Sequence, residues 1–121
     1  MAENKVRTVL ITGAAGGIGQ ATVAHFSSQG WRVIGVDRKA VYASFPADGL
    51  FIQADLVLPQ EVERVYREAA EFTPKLDALV NNAAFQVTKP ISETSVEEWD
   101  QVIAVNLRAA FLGARYGFAL L

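Results

Sequence analysis

Cysteine is absent from the 121-residue sequence. Its absence excludes disulfide bonds and thiolate metal ligands, and we predict no metal site in this chain. Neither sign of charge is in excess, because the formal net charge is only −2. A nucleic-acid partner is therefore not expected, since such proteins usually carry a strong positive charge.

Long apolar runs are also lacking. The first ten residues, MAENKVRTVL, do not contain the apolar stretch of a secretory signal, and no later run is long enough to cross a membrane. We therefore expect a cytoplasmic domain without a membrane partner. Apolar residues make up 51% of the chain, and a chain of this size can bury roughly two thirds of its surface, which is enough for a core.

Short apolar runs alternate with helical patterns along the chain. Buried strands are predicted at residues 6–12, 31–36, 50–54 and 76–81, and helices at 17–29 and 59–72. The alternation predicts an α/β fold, a Rossmann-like doubly wound parallel sheet that stops after about four strands, in the order 3-2-1-4. The link between the second and third strands is short for a crossover helix, so we expect that face of the sheet to be thinly covered.

A long helix is predicted at the end of the chain. Thr94 or Ser95 can cap it, and Glu97 and Glu98 lie in its first turn, where the helix dipole favours acidic residues. We expect this helix to continue to Leu121, over about 39 Å at ~1.5 Å per residue.

A glycine-rich loop, TGAAGGIG at residues 12–19, lies between the first predicted strand and the first predicted helix. Glycine at 13, 17 and 19 would let the backbone approach a dinucleotide diphosphate, and the start of the helix would supply free N–H groups. Ala15 keeps the loop compact, and Ile18 can point inward. The alternative is a turn that only permits tight packing of strand on helix, but the strand and helix on either side favour a nucleotide site.

Asp37 lies at the end of the second predicted strand, 18 residues beyond Gly19 and close to the expected spacing of ~20 residues. A carboxylate there can accept hydrogen bonds from both hydroxyls of the adenosine ribose and would repel a 2′-phosphate. We therefore predict NAD as the cofactor. Arg38 could contact a phosphate, so NADP remains the less favoured alternative. The other interpretation of Asp37 is a solvated carboxylate in a turn.

Taken in order, these motifs resemble the classical short-chain dehydrogenase/reductase family. Its TGxxxGxG loop matches residues 12–19, its NNAG motif appears as NNAA at 81–84, and its helix with a functional asparagine is similar to VIAVNLRAAF around Asn106. The resemblance implies a single NAD(P)-binding Rossmann domain over residues 1–121. The loop also fits the TGxxGxxG pattern of the extended branch, but the NNAA run and the Asn106 segment favour the classical branch.

The resemblance implies roles for residues outside the glycine loop. Asp55 is similar to the family residue that accepts a hydrogen bond from the adenine amino group, and Leu56 would donate a backbone N–H to the ring. Asn81 follows the fourth strand, where ligands bind in open sheets, and Ala83 and Ala84 would let the nucleotide lie against main chain. Asp55 and Asn81 also have purely structural interpretations. The predicted cofactor site is Gly13, Ala15, Gly17, Ile18, Gly19, Asp37, Arg38, Asp55, Leu56, Asn81, Ala83 and Ala84.

Asn106 is the one position of the family's catalytic machinery that this sequence contains. Helical spacing places it among Trp99, Val102, Ile103, Ala110 and Ala114, so its amide needs a partner. In the family the corresponding asparagine holds a water in a proton relay that serves a catalytic lysine. The alternative is an amide that satisfies a local irregularity of the helix.

The family's Tyr-x-x-x-Lys pair is absent. Tyrosine occurs at positions 42, 66 and 116, and the residues four positions later are Pro46, Ala70 and Leu120. The resemblance therefore implies an oxidoreductase that moves a hydride between NAD(P) and a small alcohol or ketone, in a chain that is inactive alone. An apolar end inside a predicted helix, FALL at 118–121, favours truncation, because native termini are usually polar.

Missing neighbours for the fourth strand would leave an apolar sheet edge exposed. We expect a homo-oligomer that forms through this edge or through the last helix. Two alternatives to an enzyme remain, a dinucleotide-binding module without catalysis and a truncated product that is stable only when it self-associates.

Overall fold

The computed structural model describes residues 5–121, and it contains one four-stranded sheet. The strands are β1 (Thr8–Thr12), β2 (Arg32–Asp37), β3 (Leu50–Gln53) and β4 (Ala78–Val80). Their order is β3-β2-β1-β4, and every neighbouring pair is parallel. The predicted α/β fold and its strand order are thus confirmed. Residues 1–4, which belong to the predicted domain, lie outside the described residues.

β1 is one of the two central strands of the sheet and is buried along its whole length. Its side chains alternate between the two faces, as a pleated strand requires. Val9 and Ile11 pack in one apolar cluster, whereas Leu10 packs in the other. The sheet is therefore apolar on both faces, and helices cover each of them, as expected for a parallel sheet.

Two helices follow the strands closely in sequence. Helix α1 (Gly17–Ser28) packs against the Val9 face, and α2 (Pro59–Phe72) packs against the Leu10 face. The predicted bounds of α2 are confirmed, and α1 ends one residue before its predicted end. Gly30 follows α1 with a positive φ of +85°, the left-handed conformation that commonly ends a helix. Within residues 5–121, none of the helices combines the length and apolarity needed to cross a membrane.

The last helical stretch is interrupted, and the prediction of one regular helix to Leu121 is wrong. It consists of α3 (Val96–Ile103), a π-helical segment (Ala104–Arg108) and α4 (Ala109–Gly117), after which the chain turns. Its start is as predicted, because the Ser95 hydroxyl and the Glu98 carboxylate form a reciprocal capping box. The π-helical segment contains Asn106, whose side chain bonds outside the helix.

The segment between β2 and β3 contains no helix, as expected. Aromatic rings cover the sheet there instead. Tyr42, Phe45 and Phe51 meet edge to face, with ring centroids 5.3–6.3 Å apart. A Cβ on Gly35 of β2 would lie 2.6 Å from the Phe45 ring, so glycine in this strand makes room for the cover.

Candidate functional site

A crevice of about 580 Å³ opens at the carboxyl ends of the strands, within the usual size range of small-molecule sites. The glycine loop forms one wall, the ends of β2 and β3 form another, and the chain after β4 forms the third. Ten of the twelve predicted cofactor residues line it, and Ala15 and Asn81 do not. The lining is Gly13, Gly16, Gly17, Ile18, Gly19, Asp37, Arg38, Lys39, Ala54, Asp55, Leu56, Val57, Asn82, Ala83, Ala84, Phe85, Gln101 and Val105.

The three predicted glycines of the loop differ in the space around their Cβ positions. Gly13 has a φ of +67°, and a Cβ there would lie 2.9 Å from the Ala83 Cα. A Cβ on Gly19 would overlap the carbonyl of Gly13. Around Gly17, by contrast, no atom lies within 4 Å of the Cβ position. The fold alone explains Gly13 and Gly19, whereas Gly17 leaves open a space that the crevice includes.

The start of α1 faces this crevice without a side-chain cap. Its N-cap, Gly16, has no side chain, and the first turn contains no acidic residue. The first amides of a helix have no partner within the helix, and the helix dipole gives this end a partial positive charge. The first backbone amides of α1 are thus suited to bind an anionic group, and they belong to Gly17, Ile18 and Gly19.

Asp37 joins the crevice to the glycine loop. Its Oδ2 accepts a hydrogen bond of 2.9 Å from the Ala15 N–H, and its Oδ1 accepts one of 2.9 Å from the Lys39 N–H. Ala15 therefore lies behind the lining, with its amide directed to Asp37. Arg38 and Lys39 are exposed beside the carboxylate and put two cations at this end of the crevice.

Asn82 connects the ends of β1 and β4, a role that the sequence analysis missed. Its Nδ2 donates to the carbonyls of Thr12 at 3.1 Å and Gly13 at 3.3 Å. The Thr12 hydroxyl accepts from the N–H groups of Asn82 and Ala83, both at 3.0 Å. These bonds fix the wall that contains Ala83.

Asn81 is exposed and does not line the crevice, and its predicted contact with a cofactor stays a prediction. Its Oδ1 is directed toward α4, where it would lie 3.3 Å from a Cβ on Gly113. Successive side chains of an extended chain point to opposite sides. Because Asn82 points toward the glycine loop, Asn81 points away from it.

Asp55 and Leu56 are half-buried in the crevice wall between β3 and α2. The Asp55 Oδ1 accepts a hydrogen bond of 3.1 Å from the Val57 N–H, and its carbonyl accepts one from the Leu58 N–H. Asp55 therefore shapes the turn into α2. Its Oδ2 makes no hydrogen bond among the described residues. Asp55 can therefore stabilise this turn through Oδ1 and still accept a hydrogen bond from a ligand through Oδ2.

Asn106 lies in the π-helical segment and contacts the chain after β4. Its Oδ1 accepts from the Phe85 N–H at 2.7 Å, and its Nδ2 donates to the Phe85 carbonyl at 2.9 Å. Asn106 itself does not line the crevice, but it holds Phe85, which does. The surrounding face is only partly buried, because Ile103 is half-buried and Trp99 is 61% exposed. The interpretation of the amide as the partner of a helix irregularity agrees with this geometry.

Comparison with known proteins gives one consistent family. Residues 7–121 match the protein-family model described as short chain dehydrogenase. A Thermotoga maritima protein named as an uncharacterized oxidoreductase is 34% identical over 124 residues, which is 96% of this chain and 48% of that protein. The chain therefore spans about half the length of the curated relatives it matches.

Solved structures share the fold of this chain. An oxidoreductase of the short-chain dehydrogenase/reductase family from Brucella ovis, in complex with a partially ordered NAD, matches with a TM-score of 0.85 and 33% identity, over 97% of this chain and 58% of that chain. A blue fluorescent protein from a metagenomic library, in complex with NADPH, matches with a TM-score of 0.82 and 25% identity, over 93% of this chain and 50% of that chain.

Proposed function

The chain belongs to the short-chain dehydrogenase family, whose model matches residues 7–121, and on that premise we propose that its crevice binds a nicotinamide dinucleotide, NAD in preference to NADP. The observation that carries the proposal is the open Cβ position of Gly17 beside the uncapped start of α1. A glycine that the fold does not need, next to free amides, is what the close approach of a diphosphate requires.

The adenosine end of the cofactor is assigned to the wall formed by β2 and β3. Asp37 would accept hydrogen bonds from the ribose hydroxyls, and Asp55 with Leu56 would bind the adenine edge. One similar structure carries NAD and another carries NADPH, so family membership does not select between them. The choice of NAD rests on the Asp37 carboxylate, and the exposed Arg38 and Lys39 favour the NADP alternative.

The nicotinamide end is assigned to the wall after β4. There, Ala83 and Ala84 would let the cofactor lie against main chain. The cofactor, when bound, supplies a hydride donor or acceptor for a small alcohol or ketone. Asn106 would hold the Phe85 end of this wall in place, because the Oδ1 and the Nδ2 of Asn106 both form hydrogen bonds with the backbone of Phe85.

Catalysis by this chain alone is not part of the proposal. A proton donor matched to the hydride transfer is required, and the sequence contains no Tyr-x-x-x-Lys pair. We propose an oxidoreductase lineage with cofactor binding but without turnover in these 121 residues. The absence of the pair equally favours the second candidate, a dinucleotide-binding module without catalysis.

We also propose that the chain self-associates through the apolar face of α3 and α4. This face is formed by Trp99 of α3, Leu107 of the π-helical segment, Phe111 of α4 and Phe118 directly after α4. These side chains are 61–80% exposed, and the three aromatic rings alone expose roughly 400 Å². That is half of the ~800 Å² per partner of a typical stable interface. Strand β4 is the alternative, but it has only three residues, all half-buried.

A titration of NADH fluorescence tests the cofactor proposal. Gly17→Val should weaken binding by at least about tenfold, or about 1.4 kcal/mol, because the new side chain occupies the open space. Ala24→Val is the matched control, since it adds the same side chain at an exposed position of the same helix and should leave affinity unchanged. Equal affinities of Gly17→Val and the native chain would refute the proposed site.

A further inference from the structure

Asp37 is bonded on both carboxylate oxygens before any ligand arrives. Oδ2 holds the Ala15 N–H and Oδ1 holds the Lys39 N–H, each at 2.9 Å. We propose that Asp37 is a positioning residue that holds the glycine loop in its binding shape, in addition to any contact with a sugar. This inference rests on the proposed cofactor site for its functional meaning, and its structural part stands independently.

The glycine loop is attached to β2 at two consecutive amides. The Ala14 N–H donates to the Val36 carbonyl at 3.0 Å, and the Ala15 N–H donates to the Asp37 carboxylate. The next amide, that of Gly16, returns to the Gly13 carbonyl at 3.2 Å. Of these three amide hydrogen bonds, only that of Ala15 depends on a side chain, so a substitution at 37 would release the Ala15 amide. The side-chain bonds of Asn82 to the Gly13 carbonyl and of Gln20 to the Ala15 carbonyl would stay in place.

The carboxylate is itself fixed by the sheet. Asp37 is the last residue of β2 and pairs with Gln53 of β3, and its carbonyl accepts a 2.9 Å hydrogen bond from the Ala54 N–H. A side chain on a paired strand is a rigid anchor, whereas one in a turn is not. Asp37 therefore fixes the position of the glycine loop relative to the sheet, because its backbone is paired in β2 and its carboxylate binds the Ala15 amide.

This arrangement couples two parts of the cofactor site. Each carboxylate oxygen can accept a second hydrogen bond, so sugar hydroxyls can bind while the Ala15 and Lys39 bonds persist. A 2′-phosphate would repel the Asp37 carboxylate, and the displaced carboxylate would lose its hydrogen bond from the Ala15 N–H. Discrimination against the phosphorylated cofactor would then include loss of order in the loop as well as direct repulsion.

Amide hydrogen exchange in the free chain tests the positioning role without any ligand. Asp37→Ala should raise the exchange rate of the Ala15 amide by about tenfold or more, while amides inside α1, such as that of Val23, stay protected. Asp48→Ala, which removes an exposed carboxylate that accepts no side-chain hydrogen bond among the described residues, should leave the Ala15 rate unchanged. An unchanged Ala15 rate in Asp37→Ala would overturn the inference. If Asp37→Ala also raises the exchange rates inside α1, the same comparison is made with Asp37→Leu, which keeps the size of the side chain and removes both acceptor oxygens.

Binding of inorganic pyrophosphate separates the positioning role from a sugar contact. Pyrophosphate has no sugar, and removing a negative charge nearby should by itself strengthen its binding. If Asp37 holds the loop, Asp37→Ala binds pyrophosphate more weakly than Asp48→Ala, whereas equal or tighter binding contradicts the inference. If the native chain binds neither NADH nor pyrophosphate, the proposed cofactor site fails, and the exchange experiment still decides whether Asp37 holds the loop.

Discussion

The glycines of the loop differ in whether the fold or a ligand requires the absence of a side chain. Gly13 and Gly19 contact backbone atoms too closely for a side chain, whereas Gly17 has open space around it. The motif in the sequence contains all three and cannot distinguish them. The distinction comes only from where the chain after β4 and the start of the loop lie in three dimensions.

The first prediction concerns Gly19. Gly19→Ala should lower the free energy of unfolding by about 1–3 kcal/mol, because the new methyl group overlaps the Gly13 carbonyl and a tightly packed site relaxes only in part. Gly17→Ala, on the same helix turn, should be neutral or slightly stabilising, since alanine favours helix over glycine. Urea unfolding measures both. Equal losses in the two variants would show that the loop packing described here is wrong.

Asn81 and Asn82 show which features of the site can be predicted from the sequence and which cannot. The NNAA run correctly indicated that the chain after β4 contributes to the crevice, but it did not indicate which amide faces inward. Alternation along an extended chain fixes that choice only once one side chain is placed, and Asn82 is placed by its bonds to Thr12 and Gly13. Ala15 is similar, because its role depends on a carboxylate 22 residues away.

At the scale of elements, strands and helices followed from local pattern, and the π-helical segment did not. Helix α2 has the predicted bounds because proline begins it and apolar residues recur on one face. The wider turn at Ala104–Arg108 coincides with a side-chain pairing of Asn106 with Phe85, 21 residues earlier. The apolar periodicity of the helix cannot predict this segment, because Phe85 lies outside the helix.

The capping box of α3 predicts a response to acid. A hydrogen bond from Lys89 and then one from the Ser95 backbone lower the pKa of Glu98 from 4.5 to about 2. A lowered pKa in the folded state means that the stabilisation is full above pH 4.5 and is lost as the pH falls toward 2. The stability difference between the native chain and Glu98→Gln should therefore shrink over that range. Urea unfolding at a series of pH values measures it, and a constant difference would contradict the assignment.

The contact between α2 and α4 predicts a coupled pair of substitutions. The Tyr66 hydroxyl is buried without a hydrogen-bond partner among the described residues, and it would lie 2.9 Å from a Cβ on Gly113. Gly113→Ala should lower the free energy of unfolding by about 1–3 kcal/mol in the native background. In a Tyr66→Phe background the loss should be smaller, because the obstructing oxygen is gone. Additive effects in this double-mutant cycle would argue against direct contact.

At the scale of the whole molecule, the apolar face of α3 and α4 predicts self-association. Light scattering of the native chain should give a mass above 13.1 kDa that falls toward this value on dilution. Phe111→Glu, in the middle of the face, should shift the equilibrium to monomer, whereas Glu71→Gln, an exposed change on α2, should not. A native chain that remains monomeric at high concentration would contradict the proposed interface.

The architecture of the whole chain was predictable because it depends on the alternation of buried strands and helices. The position of the crevice followed as well, since parallel strands present their carboxyl ends to one side. The exposure of Trp99 was not predictable in the same way. Helical spacing placed it beside Ile103 on an apolar face, but in the structure Ile103 is half-buried whereas Trp99 is 61% exposed, and only the packing of α3 shows this difference.

A crystal structure of the chain with bound NAD tests the central claim most directly. We expect the diphosphate oxygens within hydrogen-bonding distance of the backbone amides of Gly17, Ile18 or Gly19, and both ribose hydroxyls on the Asp37 carboxylate with its bond to Ala15 retained. NAD bound elsewhere on the chain, or a crevice that stays empty at saturating NAD, would contradict the account.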